Sequence, residues 1–140
     1  MLDSRYERLI ETVMPLIGQL LLEQRAFLPF AAALDDQGSV SLVDATDDLP
    51  DEGEIDVDAI YDSVVEVLRQ NAERLEAIAI CSDSEAIPPG SEKATDVILV
   101  TLESKLTPAI QLGIPYRFDR KGTPLFGETF TAAADAEILT

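Results

Sequence analysis

Ile110-Gln111-Leu112-Gly113-Ile114-Pro115-Tyr116-Arg117-Phe118 alternates large apolar residues with polar or small ones at every second position. A period of two marks a strand with one face buried, so Ile110, Leu112, Ile114, Tyr116 and Phe118 share the core side. Tyr116 and Phe118 are therefore read as core-filling before they are read as a recognition surface. Pro115 has no N–H to give a ladder, which predicts a free strand edge near it. Downstream, Asp119-Arg120-Lys121-Gly122 reads as a turn into a last strand over residues 125–130. The tail over 131–140 is small and polar enough to fray.

Working back from this strand, residues 95–102 are apolar on both alternating faces, the pattern of a central strand covered on two sides. Residues 77–81 form a shorter apolar run. Residues 27–34 and 39–45 read as a hairpin around Asp35-Asp36-Gln37-Gly38, with Gly38 suited to a positive φ. Pro29 confines the firm part of the first of these strands to 30–34.

Two stretches carry the helical period instead. Over residues 4–24, Leu2, Tyr6, Leu9, Ile10, Val13, Leu16, Ile17 and Leu20 recur at three- and four-residue spacing, and Ser4 with Glu7 suggests a capping box. Pro15 clashes with the carbonyl of Glu11 and predicts a kink or break, and Gly18 weakens the helix further. Over 56–74, Val57, Ile60, Tyr61, Val64, Val65, Val67, Leu68, Ala72 and Leu75 form an arc wide enough to cover a sheet. Asp56, Asp58 and Asp62 suit the positive end of its dipole, whereas Asn71 falls inside the apolar arc without an evident partner. Between the hairpin and this helix, residues 44–58 hold eight carboxylates with Pro50 and Gly53, a loop by charge repulsion and by its breakers. The expectation is one α+β domain over 1–140, in the order α-β-β-α-β-β-β, with two main helices on an antiparallel sheet of about five strands.

With 46% apolar and 26% charged residues in 140, the chain can bury a core. No apolar run approaches the roughly 20 residues that cross a bilayer, and the first residues lack the basic start of a signal peptide. The single cysteine, Cys81, allows no internal disulfide, and a cytoplasmic location is the expectation. Charge is the unusual property: 27 acidic residues against 10 basic ones, a net −17. Such a surface repels phosphate backbones and anionic membranes; solubility in a crowded or salty cytoplasm is its first reading, and a basic protein partner steered in by the field is the second.

The chain contains no histidine, which removes the commonest general base, the commonest metal ligand and every Ser-His or Cys-His arrangement. One cysteine is too few for zinc or iron–sulfur sites of the usual kind, and phosphate-cradling glycine motifs are absent from the sequence. The run Asp47, Asp48, Asp51, Glu52, Glu54, Asp56 and Asp58 lacks the register of a calcium loop, so neither metal nor cofactor is expected. Cys81 has no positive neighbour in sequence and is read as a quiet thiol. The remaining candidates for binding are Asp96 and Glu103, carboxylates at the two ends of an apolar strand, and Tyr116 and Arg117 beside Pro115.

Phe27-Leu28-Pro29-Phe30, Asp36-Gln37-Gly38, Thr95-Asp96 to Leu102-Glu103, Ile114-Pro115-Tyr116-Arg117 and Phe126-Gly127-Glu128 together resemble a family of small bacterial proteins without an assigned activity. The resemblance implies a self-contained bacterial domain and transfers no active site. The element order is also similar to roadblock and longin-type domains, whose roles are pairing and scaffolding. The acidic loop and the extra final hairpin depart from that pattern, and fold does not dictate function.

The functional expectation is a non-catalytic protein-binding module of immunity or scaffold type, meeting its partner through an acidic face or an exposed strand edge, with room for a homodimer. The alternative is a small-molecule binder or a carboxylate- or metal-assisted enzyme using Asp96 or Glu103 in a cleft.

Overall fold

The computed structural model describes residues 3–44 and 56–139. Most of the acidic loop read over 44–58 lies outside them, as does Leu2. The described elements are helix α1 (Ser4–Gln24), strands β1 (Phe30–Asp35) and β2 (Val40–Val43), helix α2 (Val57–Gln70), a short 3-10 turn (Ala72–Arg74), and strands β3 (Leu75–Ala86), β4 (Thr95–Ser104), β5 (Ile110–Phe118), β6 (Pro124–Phe126) and β7 (Phe130–Ala133). All strand pairs are antiparallel, in the order β2-β1-β3-β4-β5, with both β6 and β7 along the far side of β5. The α+β class and the two helices match the expectation, and the sheet has more strands than the five expected.

The helices lie on opposite faces of the sheet. Tyr6, Leu9, Val13, Ile17 and Leu21 of α1 pack on Ala32, Leu34, Ala77, Ala79, Cys81, Val100 and Leu102. Val64 and Leu68 of α2 pack on Ala31, Ala33, Ile78 and Ile80, the alternate residues of the same strands. Strand β1 and residues 77–81 of β3 are thus buried from both sides, which is why they read as unbroken apolar runs. Toward β5, α1 alone among the described helices packs on the sheet.

Helix α1 starts differently from the expected capping box: Asp3 is the cap, its carboxylate accepting the Arg5 N–H at 2.9 Å while its carbonyl accepts the Glu7 N–H at 3.0 Å. The helix also runs unbroken through Pro15. Pro15 and Glu11 both face solvent, so water can satisfy the carbonyl that the proline leaves without a donor. Arg25 closes the helix in the left-handed region, at φ 64°, with its N–H on the Leu21 carbonyl. Helix α2 is capped by Asp56 through the Ala59 N–H at 3.1 Å and ends at Gln70, earlier than the predicted 74. Asn71 finds its partner there, its side-chain amide donating to the Val67 carbonyl at 2.8 Å.

The two hairpin turns use one solution. Asp35 accepts the N–H groups of Gln37 and Ser39, and Asp119 those of Lys121 and Thr123, each within 2.8–2.9 Å, while Gly38 and Gly122 take φ of 81° and 82°. An Asx turn followed by a glycine at positive φ is therefore legible in Asp-x-x-Gly.

Strand β3 is 12 residues long, far beyond the predicted 77–81. Its polar half, Ser82 to Glu85, forms a strand because β4 supplies partners from Leu99 down to Asp96. The predicted strand over 125–130 is two strands. Tyr116 pairs with Phe126, but Gly113 pairs with Phe130, so one extra residue is accommodated between β6 and β7, a bulge opposite Pro115. The predicted free edge at Pro115 is thereby corrected: β5 has neighbours on both sides. The Pro115 carbonyl accepts the Gly127 N–H at 2.7 Å, which aims the missing N–H toward the bulge, where no donor is needed.

Candidate functional site

The four residues singled out from the sequence fall at two separate places. Asp96 opens β4, exposed and directly opposite Glu85 of β3. Tyr116 lies nearby on β5, 4% exposed, and Arg117 follows it facing solvent, opposite Leu125. Glu103 is seven residues further along β4, about 23 Å away at strand rise. Sheet geometry therefore brings Asp96, Tyr116 and Arg117 to one end and leaves Glu103 at the other.

Glu103 serves the fold. It is 2% exposed, and its Oε1 accepts the backbone N–H groups of Glu137, Ile138 and Leu139 at 3.0, 2.9 and 3.0 Å. Three N–H dipoles converging on one carboxylate oxygen form an anion nest, and Ile138 and Leu139 pack beneath it on Ile78 and Ile80. The tail expected to fray over 131–140 is instead held by this clasp together with β7 over the described residues 131–139. The tail takes the place of a helix over part of this face. A cavity of about 230 Å³ remains beside it, lined by Tyr61, Thr101, Glu103 and Gln111 among others.

At the opposite end, the Tyr116 hydroxyl donates to Asp83 Oδ1 at 2.6 Å. Burial, then the Asp83 carboxylate, pushes the Tyr116 phenol above its ordinary range. Burial also raises Asp83, opposed by the Tyr116 hydrogen bond and by the Phe27 N–H, and reinforced by Asp96. The raised phenol keeps its proton and donates it in a hydrogen bond to Asp83. Cys81, wholly buried, has its thiol pushed up to about 12 by desolvation, in keeping with the quiet thiol expected. Among the described residues, no group of three or more acidic or cysteine side chains converges in a way that could hold a metal ion.

The tip of the β5–β6 hairpin gathers Arg117, Arg120 and Lys121, and the Arg25 guanidinium stacks over Phe118 at 5.3 Å from the ring centre. Leu125 and Phe126 are exposed beside them. A groove of about 290 Å³ is lined by Thr95, Pro115, Arg117, Leu125 and Phe126, and a second of about 290 Å³ by Pro88, Pro89, Glu128 and Phe130. The two share Pro115 and Gly127, so the bulge forms their common wall.

No family model, curated protein or solved structure matches this chain.

What the geometry offers is therefore read from surfaces. Strand β7 pairs with β5 on one side, and among the described residues nothing pairs with its other side. The Ala134 N–H donates inward to the Ala109 carbonyl, so by alternation Thr131 and Ala133 turn their N–H and C=O groups outward. Thr131, Ala132 and Ala133 are all exposed, and the strand carries no charge and no proline. Sequence reading passed over this edge, because small polar residues signal fraying as readily as strand. The absence of any charge over 129–134 was the available clue. A further groove, about 430 Å³ and mostly apolar, runs between α1 and the β1–β2 hairpin, lined by Leu16, Leu20, Phe27, Leu28, Phe30 and Leu42 with Gln24 and Asp44 at its margin.

Proposed function

We propose that this chain is a non-catalytic protein-binding module whose partner is a basic protein. The observation that carries this reading is the solvent face of α2. Asp58, Asp62 and Glu66 are exposed there at four-residue spacing. Like charges at that spacing oppose the helix by a few tenths of a kcal/mol per pair, with only Arg69 in the last turn to offset them. Against 27 acidic residues the chain has 10 basic ones, so its field is strongly negative. A basic partner would be steered in by the long-range field and would relieve this repulsion. Masking of a basic toxin by an immunity-type protein is one such pairing, and a cytoplasmic scaffold is another.

The test is affinity capture from native lysate at low and moderate salt, read by mass spectrometry, with an Asp58→Lys, Asp62→Lys, Glu66→Lys variant alongside. The reading expects a stoichiometric basic protein, released as salt rises and lost on charge reversal. A partner indifferent to both changes, or no partner, counts against it. The second reading, small-molecule binding, is favoured by the apolar groove of about 430 Å³, a volume within the usual range for ligand pockets. A metabolite thermal-shift screen in which Leu20→Trp abolishes a specific hit would favour it.

A further inference from the structure

We infer that the open edge of β7 is a strand-addition site for an extended segment of a partner protein, a short neutral run with Lys or Arg at both ends. The inference rests on the protein-binding reading above and assigns it a surface. Buried or paired ladder groups are the rule in sheets, and natural proteins guard an exposed edge with charge, proline or a covering segment. Strand β7, Phe-Thr-Ala-Ala, carries none of these guards, and its outward-turned Thr131 and Ala133 offer alternating donors and acceptors along an exposed backbone.

The ends of this edge say what would pair with it. Glu128 lies before the strand and Asp135 follows it, both exposed. Asp135 is seven positions after Glu128, about 23 Å for extended chain at strand rise. An added strand that is neutral over its middle and basic at its ends meets open backbone groups in the centre and a carboxylate at either end. A second copy of this chain does not suit the edge. Antiparallel self-pairing of β7 brings the Glu128 end of one copy to the Asp135 end of the other, like charge against like, between chains of net −17 each. Recognition through main-chain bonds with charge selecting the ends is the known logic of β-augmentation.

The experiment selects a phage-displayed library of random dodecapeptides against the full chain, then measures the winners against two variants. Ala133→Pro removes an outward N–H that no intramolecular bond uses, so the fold survives it. Glu128→Lys with Asp135→Lys reverses the ends and leaves the backbone intact. The expected winners carry Lys or Arg flanking a neutral β-forming run, slow hydrogen exchange at Thr131 and Ala133, and weaken by at least about tenfold on Ala133→Pro, one lost hydrogen bond with its partner stranded. Winners that bind Ala133→Pro with unchanged Kd, winners with acidic ends, or no enrichment at all would overturn the inference. A salt-sensitive basic protein captured equally well by wild type and Ala133→Pro refutes the edge while leaving the basic-partner reading intact. Absence of any salt-sensitive partner refutes that reading itself.

Discussion

Replacing Glu103 by alanine tests the clasp that closes the C-terminal side of the sheet. The carboxylate oxygen accepts three N–H groups, those of Glu137, Ile138 and Leu139, in a place only 2% exposed. Without it, the tail has two choices. Staying in place strands up to three backbone donors, each costing about 1–3 kcal/mol where water is excluded. Letting go returns the donors to water but uncovers Ile138 and Leu139, each worth about 1.5–3 kcal/mol when fully buried. Release also returns backbone entropy of about 1–2 kcal/mol per freed residue, which offsets part of that loss. Release is the cheaper route, and a net destabilisation of roughly 2–4 kcal/mol is expected, a few degrees of Tm per kcal/mol for a domain of this size. Urea denaturation gives the stability, and hydrogen exchange at residues 137–139 reports the release. Glu103→Gln keeps an oxygen acceptor without the charge and should lose roughly 1 kcal/mol. In a chain ending at residue 136 the donors are gone, so Glu103→Ala should then cost nothing, which makes the pair a double-mutant cycle. A loss below roughly 0.5 kcal/mol in the full chain, or unchanged protection at Ile138 and Leu139, would refute the reasoning.

Asp83→Asn preserves an acceptor for the Tyr116 hydroxyl and removes a carboxylate whose pKa burial has raised. A raised native pKa contributes stability that is complete below the unfolded value of about 3.9 and lost as pH rises through the native one. The variant should therefore melt higher than wild type at neutral pH, with the gap closing toward about pH 4; a variant less stable at neutral pH contradicts this. Gly113→Ala places a Cβ 2.2 Å from the Phe130 ring, so the ring must leave its seat. A loss of roughly 1–2 kcal/mol is expected, turning neutral or slightly stabilising in a Phe130→Ala background, where only the reduced freedom of the unfolded chain remains. Equal losses in both backgrounds would point away from the ring. Cys81, raised to about 12 by burial, should react with a thiol reagent no faster than the protein unfolds, so a fast native reaction would contradict its burial.

Local chemistry was the legible part of this protein. The period of two marks β5 and the period of three to four marks both helices, because an element with one buried side repeats its apolar residues at its own pitch. The two Asp-x-x-Gly turns were readable because the aspartate and the glycine settle them within five residues. Tyr116 could be assigned inward from alternation alone, and it is buried. The misreadings share a different character. Pro15 predicts a kink or break, yet the helix continues through it, because its cost depends on whether the stranded carbonyl meets water, a property of the assembled surface. The polar half of β3 was missed because its ladder partners lie on β4 rather than in neighbouring sequence.

Glu103 shows the limit most plainly. From the sequence it was a carboxylate at the end of an apolar strand, equal in kind to Asp96. Tertiary structure separates them, giving Glu103 three donors from residues 34 to 36 positions away and leaving Asp96 exposed beside Glu85. Likewise, the two-faced sheet, the bulge opposite Pro115 and the open edge of β7 depend on which strands become neighbours. Sequence patterns report how each segment divides itself between water and core, and they do so locally. Pairing, register and the company of a buried charge are relations between distant segments, and only the folded chain decides them.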